Sequence, residues 1–302
     1  MPGVLELTGF ELYRPSSLED ALVFLEKNAP DVKPMAGGTE LLVLMRDRVI
    51  KPPKFILDLS PLRRELSYVR VENGFVRIGA LTTIWELSRS FLHSDVRYAG
   101  FVDVFRKFGN MTLRFEATIG GNIMTATQYS DYATLLLAYG ARVKLASTRG
   151  TRVLLLEELL LDKRVTTAMP SELLLEVFFP EPPNSTSSAF VKFDRREVLI
   201  AGIVTSAVYL TLEDNVIRDV RVSFDMVREK KIPSRALTTE SYLRGKKFTA
   251  ELVEEAAEKI LPGEMRRITD WWTTDEYRLE MSKVALKRAL YKCYERISRG
   301  VI

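Results

Sequence analysis

Apolar and polar positions along this chain fall into short stretches whose period switches between two and about 3.6 residues. Residues 10–13 alternate like a strand, Pro15 breaks the pattern, and Ser16 or Ser17 can cap the next helix. Leu18, Ala21, Leu22 and Leu25 then recur at helical spacing. An apolar run over 32–36, broken by Pro34, ends at Gly37 and Gly38, and is followed by a helix over 39–48 and a strand over 55–59. Hairpins are predicted over 66–80, turning at Asn73 and Gly74, and over 143–154, turning at Arg149 and Gly150. Between them Thr82 and Thr83 cap a helix through Arg89, a longer helix covers 96–108, residues 117–122 read as a loop, and 132–139 as a packed helix. A strand over 173–179 runs into the clearest linker, Pro180-Glu181-Pro182-Pro183-Asn184-Ser185. Strands come next near 189–193, 203–212 and 216–227, then helices near 239–244, 250–260 and 274–298. The reading is an α+β protein with domains over 1–182 and 183–302.

Length agrees with this division, since 302 residues make two domains of about 150 each, large enough to bury a core without staples. Hydrophobic residues at 46% and charged residues at 28% are ordinary globular usage and exclude disorder and collagen. Cys293 is the only cysteine, so no disulfide framework, cysteine-held iron–sulfur cluster or thiolate zinc site is expected within this chain. A lone thiol also fits a reducing cytoplasm. His93 is the only histidine, which argues against a His-rich metal site and a Ser-His-Asp triad. Net charge is +4 with the signs interleaved, and the longest basic cluster, Arg228, Lys230 and Lys231, encloses Glu229. No nucleic-acid partner is expected from that pattern. No membrane span is expected without an apolar run of about 18 residues, and residues 1–6 lack the features of a secretory signal. Gln128 is the sole glutamine and asparagines number six, a depletion of the kind seen in thermophiles.

Candidate chemistry lies in two glycine pairs, each where a strand meets a helix. Ala36-Gly37-Gly38-Thr39-Glu40-Leu41 combines close-approach glycines, a hydroxyl and exposed amides, the requirements of a phosphate cradle. It is neither a Walker A loop nor a GxGxxG fingerprint, and an ordinary turn has the same composition. Ala117-Thr118-Ile119-Gly120-Gly121-Asn122 repeats the combination, with Asp131 nine residues beyond Asn122 as an acceptor for ribose or ribityl hydroxyls. Two such loops in one chain favour a pyrophosphate held from two sides.

These motifs give the chain a family resemblance. Phe10-Glu11-Leu12-Tyr13-Arg14-Pro15-Ser16-Ser17, Ala36-Gly37-Gly38-Thr39-Glu40-Leu41-Leu42, Ile78-Gly79-Ala80-Leu81-Thr82-Thr83 and Ala117-Thr118-Ile119-Gly120-Gly121-Asn122-Ile123 occur in one order. Pro170-Ser171-Glu172-Leu173-Leu174 and Phe190-Val191-Lys192-Phe193 with Arg195-Arg196 continue it. The set, spanning roughly residues 8 to 295, resembles the FAD-binding medium subunit of the molybdenum hydroxylases, of the carbon monoxide dehydrogenase, aldehyde oxidoreductase and xanthine dehydrogenase type. The resemblance implies a two-lobed FAD-binding domain of the vanillyl-alcohol-oxidase (PCMH) type, with lobes of about 1–57 and 58–182. It also implies a small C-terminal domain with a three-stranded antiparallel sheet and helices. The implied cofactor is non-covalent FAD, with Pro34, Met35, Ala36, Gly37, Gly38, Thr39, Glu40 and Leu41 on one side of the pyrophosphate. Thr118, Ile119, Gly120, Gly121 and Asn122 would hold it from the other side through backbone amides. Thr125 and Asp131 would contact ribityl or adenosine hydroxyls, Phe108 would pack on the cofactor, and Leu174 and Lys192 would line its adenine and flavin side.

The implied function is electron relay. Substrate would be oxidised at a molybdenum cofactor in a large partner subunit, and [2Fe–2S] clusters in a small subunit would pass electrons to this FAD. The assembly would be a dimer of heterotrimers, cytoplasmic, and an aldehyde oxidoreductase for which glyceraldehyde is one candidate. Carbon monoxide or purine dehydrogenase subunits and a free-standing FAD-dependent oxidase are the alternatives. The chain departs from the family pattern at Arg114-Phe115, at Gln128, and at Ile200, where relatives place an aromatic beside the flavin. Trp271 and Trp272 read as packing beneath the last helix, His93 as a surface or helix-end residue, and Cys293 as a small buried hydrophobe. Tyr129 and Tyr132 flank Asp131 and suit either ring stacking or the core.

Overall fold

Residues 9–196, 202–225, 231–271 and 273–302 are described in the computed structural model. Residues 1–6, Glu197, Ile200, Arg228, Glu229, Lys230 and Trp272 lie outside that set. The chain opens with a three-stranded parallel sheet ordered β1-β3-β2, from β1 (Glu11–Tyr13), β2 (Val32–Met35) and β3 (Phe55–Asp58). Pro34 is tolerated within β2 because that strand is an edge, where a missing N–H breaks no ladder. The Leu18–Asn28 helix starts at Ser17, whose hydroxyl accepts from the Asp20 amide, and it buries Ala21, Leu22 and Leu25.

A five-stranded antiparallel sheet comes next, ordered β4-β5-β10-β6-β7, with β4 (Val69–Glu72), β5 (Phe75–Gly79), β6 (Arg142–Ser147), β7 (Gly150–Leu155) and β10 (Leu173–Pro180). Between β7 and β10 lies a small hairpin of β8 (Leu160–Asp162) and β9 (Val165–Thr166). The helices between β5 and β6 cover this sheet, and the Asp131–Ala138 helix is buried along its whole length.

The last sheet is antiparallel, ordered β11-β12-β13-β14, from β11 (Thr186–Phe193), β12 (Val204–Glu213), β13 (Val216–Phe224) and β14 (Ser234–Arg235). Three long strands were expected; the fourth has only two residues, too short to leave a period in the sequence. The 25-residue helix Asp275–Arg299 packs on β11 and β12. Other expectations need adjustment. The helix expected over 96–108 is a 3₁₀ turn, Val96–Tyr98, leading into Ala99–Lys107. The helix expected over 39–48 is only Leu41–Arg46, and the one over 250–260 widens into a π-turn at Ala256–Ile260.

Polar contacts tie the last sheet to the preceding helices. Asp103, 4% exposed, accepts from Lys292 Nζ at 2.6 Å, from the two terminal guanidinium nitrogens of Arg296 at 2.8 Å, and from the Phe190 amide at 3.1 Å. Ser223 Oγ donates to the Thr134 carbonyl at 2.6 Å, and Arg221 to the Tyr139 carbonyl at 2.9 Å. Among the described residues, no helix is long and apolar enough to cross a membrane.

Candidate functional site

A cleft of about 420 Å³ opens where the first two sheets meet, within the size range of small-molecule sites. Pro34 and Ala36 line it from the end of β2, Thr118, Gly120 and Gly121 from the second glycine segment, and Leu174 from β10. The two glycine segments touch directly: a Cβ at Gly37 would overlap the carbonyl oxygen of Glu116, so only glycine permits this approach. Gly38 has φ +69°, the left-handed region that glycine enters without strain.

The segments differ in the donors they offer. The amides of Gly37, Gly38, Thr39 and Glu40 have no hydrogen-bond acceptor among the described residues, so they are available to a ligand. The second segment is not a loop but the short helix Ile119–Met124, capped by Thr118. Its first amides are already engaged: Ile119 donates to the Thr82 carbonyl, Gly120 to Ala80, Gly121 to Thr118 Oγ1 and Asn122 to the Thr118 carbonyl. The expectation that this segment holds a pyrophosphate through free amides is therefore corrected. It presents the surface of Gly120 and Gly121 to the cleft instead. Asn122 Oδ1 is buried with no hydrogen-bond partner among the described residues, an acceptor that awaits a donor.

Two cations stand at the cleft. Lys33 of β2 and Arg164 of the β8–β9 turn line the cleft, and Arg164 reaches Glu40 at 3.8 Å. Neither cation was found by sequence reasoning. Arg164 is one of many surface arginines, and only the small hairpin, with Arg164 at φ +61° donating its amide to the Ala126 carbonyl, sets it at the cleft. Two cations and the glycines 120 and 121 line the cleft together with Glu172, and the free amides of residues 37–40 continue from its wall at Ala36, a setting that suits an anion such as a pyrophosphate.

The other expected residues lie elsewhere. Met35, Gly37, Gly38, Thr39, Glu40 and Leu41 continue the first segment without lining the cleft, Asn122 does not line it either, and Ile119 is buried beneath the second segment. Thr125 Oγ1 donates to the Gly121 carbonyl at 2.8 Å. Phe108 is core, 8% exposed, with its ring edge-on to Tyr132. Asp131 and Lys192 form a buried ion pair at 2.8 Å, joining the Asp131–Ala138 helix to β11. Burial pushes the Asp131 carboxyl up, and the adjacent ammonium opposes that push. Tyr132 is fully buried, whereas Tyr129 is 43% exposed. Trp271, expected beneath the last helix, is 81% exposed and corrects that reading. His93 ends a 3₁₀ turn with its Nε2 buried, and Cys293 is buried as expected.

Comparison with known proteins gives two family matches. Residues 8–182 match the FAD binding domain in molybdopterin dehydrogenase, and residues 188–293 match the CO dehydrogenase flavoprotein C-terminal domain. The glyceraldehyde dehydrogenase medium chain of Sulfolobus acidocaldarius is 31% identical, over 93% of this chain and 96% of that one. The carbon monoxide dehydrogenase medium chain of Afipia carboxidovorans is 26% identical over 95% and 97%. A solved structure of carbon monoxide dehydrogenase from Hydrogenophaga pseudoflava superposes with a TM-score of 0.89 at 26% identity, covering 96% of this chain and 98% of that chain.

Proposed function

The chain belongs to the family of FAD-binding subunits of molybdopterin dehydrogenases, and from that membership we propose that it is the electron-relay flavoprotein of a molybdenum hydroxylase complex. Bound FAD supplies the redox chemistry; the chain binds it, orients it and sets its electrostatic surroundings. The observation that carries the site is the row of unengaged amides at residues 37–40, which follows directly on Ala36 in the wall of the cleft that Lys33 and Arg164 also line. Those amides would donate to phosphate oxygens while the two cations balance the negative charge. Gly120 and Gly121 allow the ligand close to the second helix, and Asn122 Oδ1 accepts from a hydroxyl or amino group. Leu174 adds an apolar side chain to the cleft wall. The Asp131–Lys192 pair does not line the cleft itself; by the family resemblance Lys192 would face the flavin, and Asp131 would hold that ammonium in place.

In this reading the substrate is oxidised at a molybdenum cofactor in a large partner chain, and a small chain carries [2Fe–2S] clusters between that centre and this subunit. The complex is a dimer of heterotrimers in the cytoplasm. The boundary between the two domains falls at 182/183, a reading supported by the gap between the family matches and by the proline-rich linker. We favour an aldehyde, glyceraldehyde among them, because the Sulfolobus relative is the more similar of the two medium chains compared. Carbon monoxide is the second reading, favoured by the structural likeness.

The test is anaerobic bleaching of the flavin band by glyceraldehyde or carbon monoxide, for the lone chain and for the complex with both partner chains. Bleaching only in the complex, by one of the two substrates, is expected. Bleaching of the lone chain would overturn the relay and favour a free-standing oxidase.

A further inference from the structure

Asp225 is a carboxylate for which the cleft has no use, yet it sits at the junction of the two halves of the molecule. It lies one residue past β13, is 1% exposed, and its Oδ1 has no hydrogen-bond partner among the described residues. An orphaned buried carboxylate oxygen is costly, so its surroundings call for an explanation.

The sheet register supplies the geometry. Lys192 of β11 pairs with Thr205 of β12, and the Asp225 amide donates to the Thr205 carbonyl at 3.0 Å. The preceding pair in the ladder is Ser206 with Phe224. Lys192, Thr205 and Asp225 therefore form one row across three strands, with the two charged residues about 10 Å apart at the backbone. Asp131 meets Lys192 from the helix packed against this sheet. Arg278 of the last helix contributes the other nearby cation, held by the Ile203 carbonyl and by Asp270 at 2.8 Å. Tyr129 is a further titratable neighbour, and Asp194, which meets Lys107 at 3.9 Å, acts on Asp131.

We propose that Asp225 is a positioning residue for the flavin site, acting through Lys192: its charge state sets how much of the ammonium's field reaches the cofactor, and so tunes the potential of bound FAD. This rests on the reading that FAD lies against Lys192. Burial raises the Asp225 carboxyl to about 7, opposed by a Thr205 backbone hydrogen bond and by Arg278, reinforced by Asp131, and opposed again by Lys192. Below that value Asp225 is neutral, and Asp131 is the carboxylate that holds Lys192. Above it, a second negative charge flanks Lys192 and disfavours placing electrons on the flavin. Reduction in turn raises the carboxyl's affinity for a proton, which solvent supplies.

The experiment is a dithionite potentiometric titration of the FAD-loaded chain from pH 5.5 to 9, for the wild type and Asp225→Asn, with flavin stoichiometry measured in parallel. The amide mimics the neutral acid. The two proteins should agree below about pH 6. Above pH 8 the variant should be easier to reduce by roughly tenfold in the equilibrium constant, about 30 mV for a two-electron couple. Because the reduced flavin's own N1 proton also titrates at roughly pH 7, the readout is the difference between the two plots, and Asp225→Ser, also neutral, repeats the comparison if the amide variant fails to fold. Equal flavin content with parallel plots would overturn the role of Asp225. Failure of the wild type to bind FAD would instead refute the cofactor site itself.

Discussion

Gly120 and Gly121 are neighbours in one short helix, and the structure assigns them opposite tasks that substitution by alanine can separate. A Cβ on Gly120 would lie 2.6 Å from the Ala80 carbonyl oxygen and 2.8 Å from Ala80 Cβ, against backbone that cannot rotate away. Overpacking of this kind costs about 1–3 kcal/mol. A Cβ on Gly121 would meet only Thr118 Oγ1, at 3.1 Å, and would otherwise enter the cleft. That hydroxyl must yield by a few tenths of an ångström, while replacing a helical glycine by alanine gains up to about 1 kcal/mol. Gly121→Ala should therefore keep its stability within about 1 kcal/mol of the wild type. On the proposed placement of FAD, the same methyl group would stand in the cleft that a pyrophosphate enters to reach the amides of residues 37–40. Losing one charge-assisted hydrogen bond to it costs about 1.5–3 kcal/mol, or about 10- to 150-fold in affinity. Urea denaturation of the apoprotein and titration with FAD measure the two quantities separately. Gly120→Ala should lower the denaturation midpoint, and Gly121→Ala should weaken FAD while leaving the midpoint nearly in place. Wild-type FAD affinity in a folded Gly121→Ala protein would refute the location of the cofactor.

The same geometry sets three further outcomes. Asp103→Ala leaves Arg296 and Lys292 without their shared carboxylate, so it should destabilise the protein by about 3–5 kcal/mol, read as a lower midpoint at unchanged denaturant slope. His93 is held near 4, below its ordinary 6.5, first by burial and then by Arg106. The folded state therefore binds fewer protons than the unfolded chain. Stability should be full above pH 6.5, fall as pH drops toward 4, and level off below; thermal melting of His93→Gln should lack that contribution. Arg164→Ala removes a cation from the cleft wall, and it should weaken FAD about tenfold and flatten the salt dependence of binding, measured by titration at two ionic strengths.

Local signals in the sequence were strong wherever the cause is local. Ser17 caps its helix and Thr83 forms a capping box with Glu86, because a cap depends on side chains three residues apart. Both hairpins turn near their glycines, and the ordered glycine and proline motifs carried the family, since such positions constrain the backbone itself. The 119–124 helix was missed because two glycines lower helix propensity, while the contacts that hold it, to Ala80 and Thr82, come from some forty residues away. The same limit hid the site's electrostatics. That Asp131 faces Lys192, that Arg164 stands at the cleft, and that Asp225 lies in a row with Lys192 are facts of register and packing between segments remote in sequence. A residue's type and spacing reveal what chemistry it can perform and which local turn it can adopt. Which charge meets which, and how dry the meeting place is, depends on burial by the whole fold, and only the tertiary structure decides that.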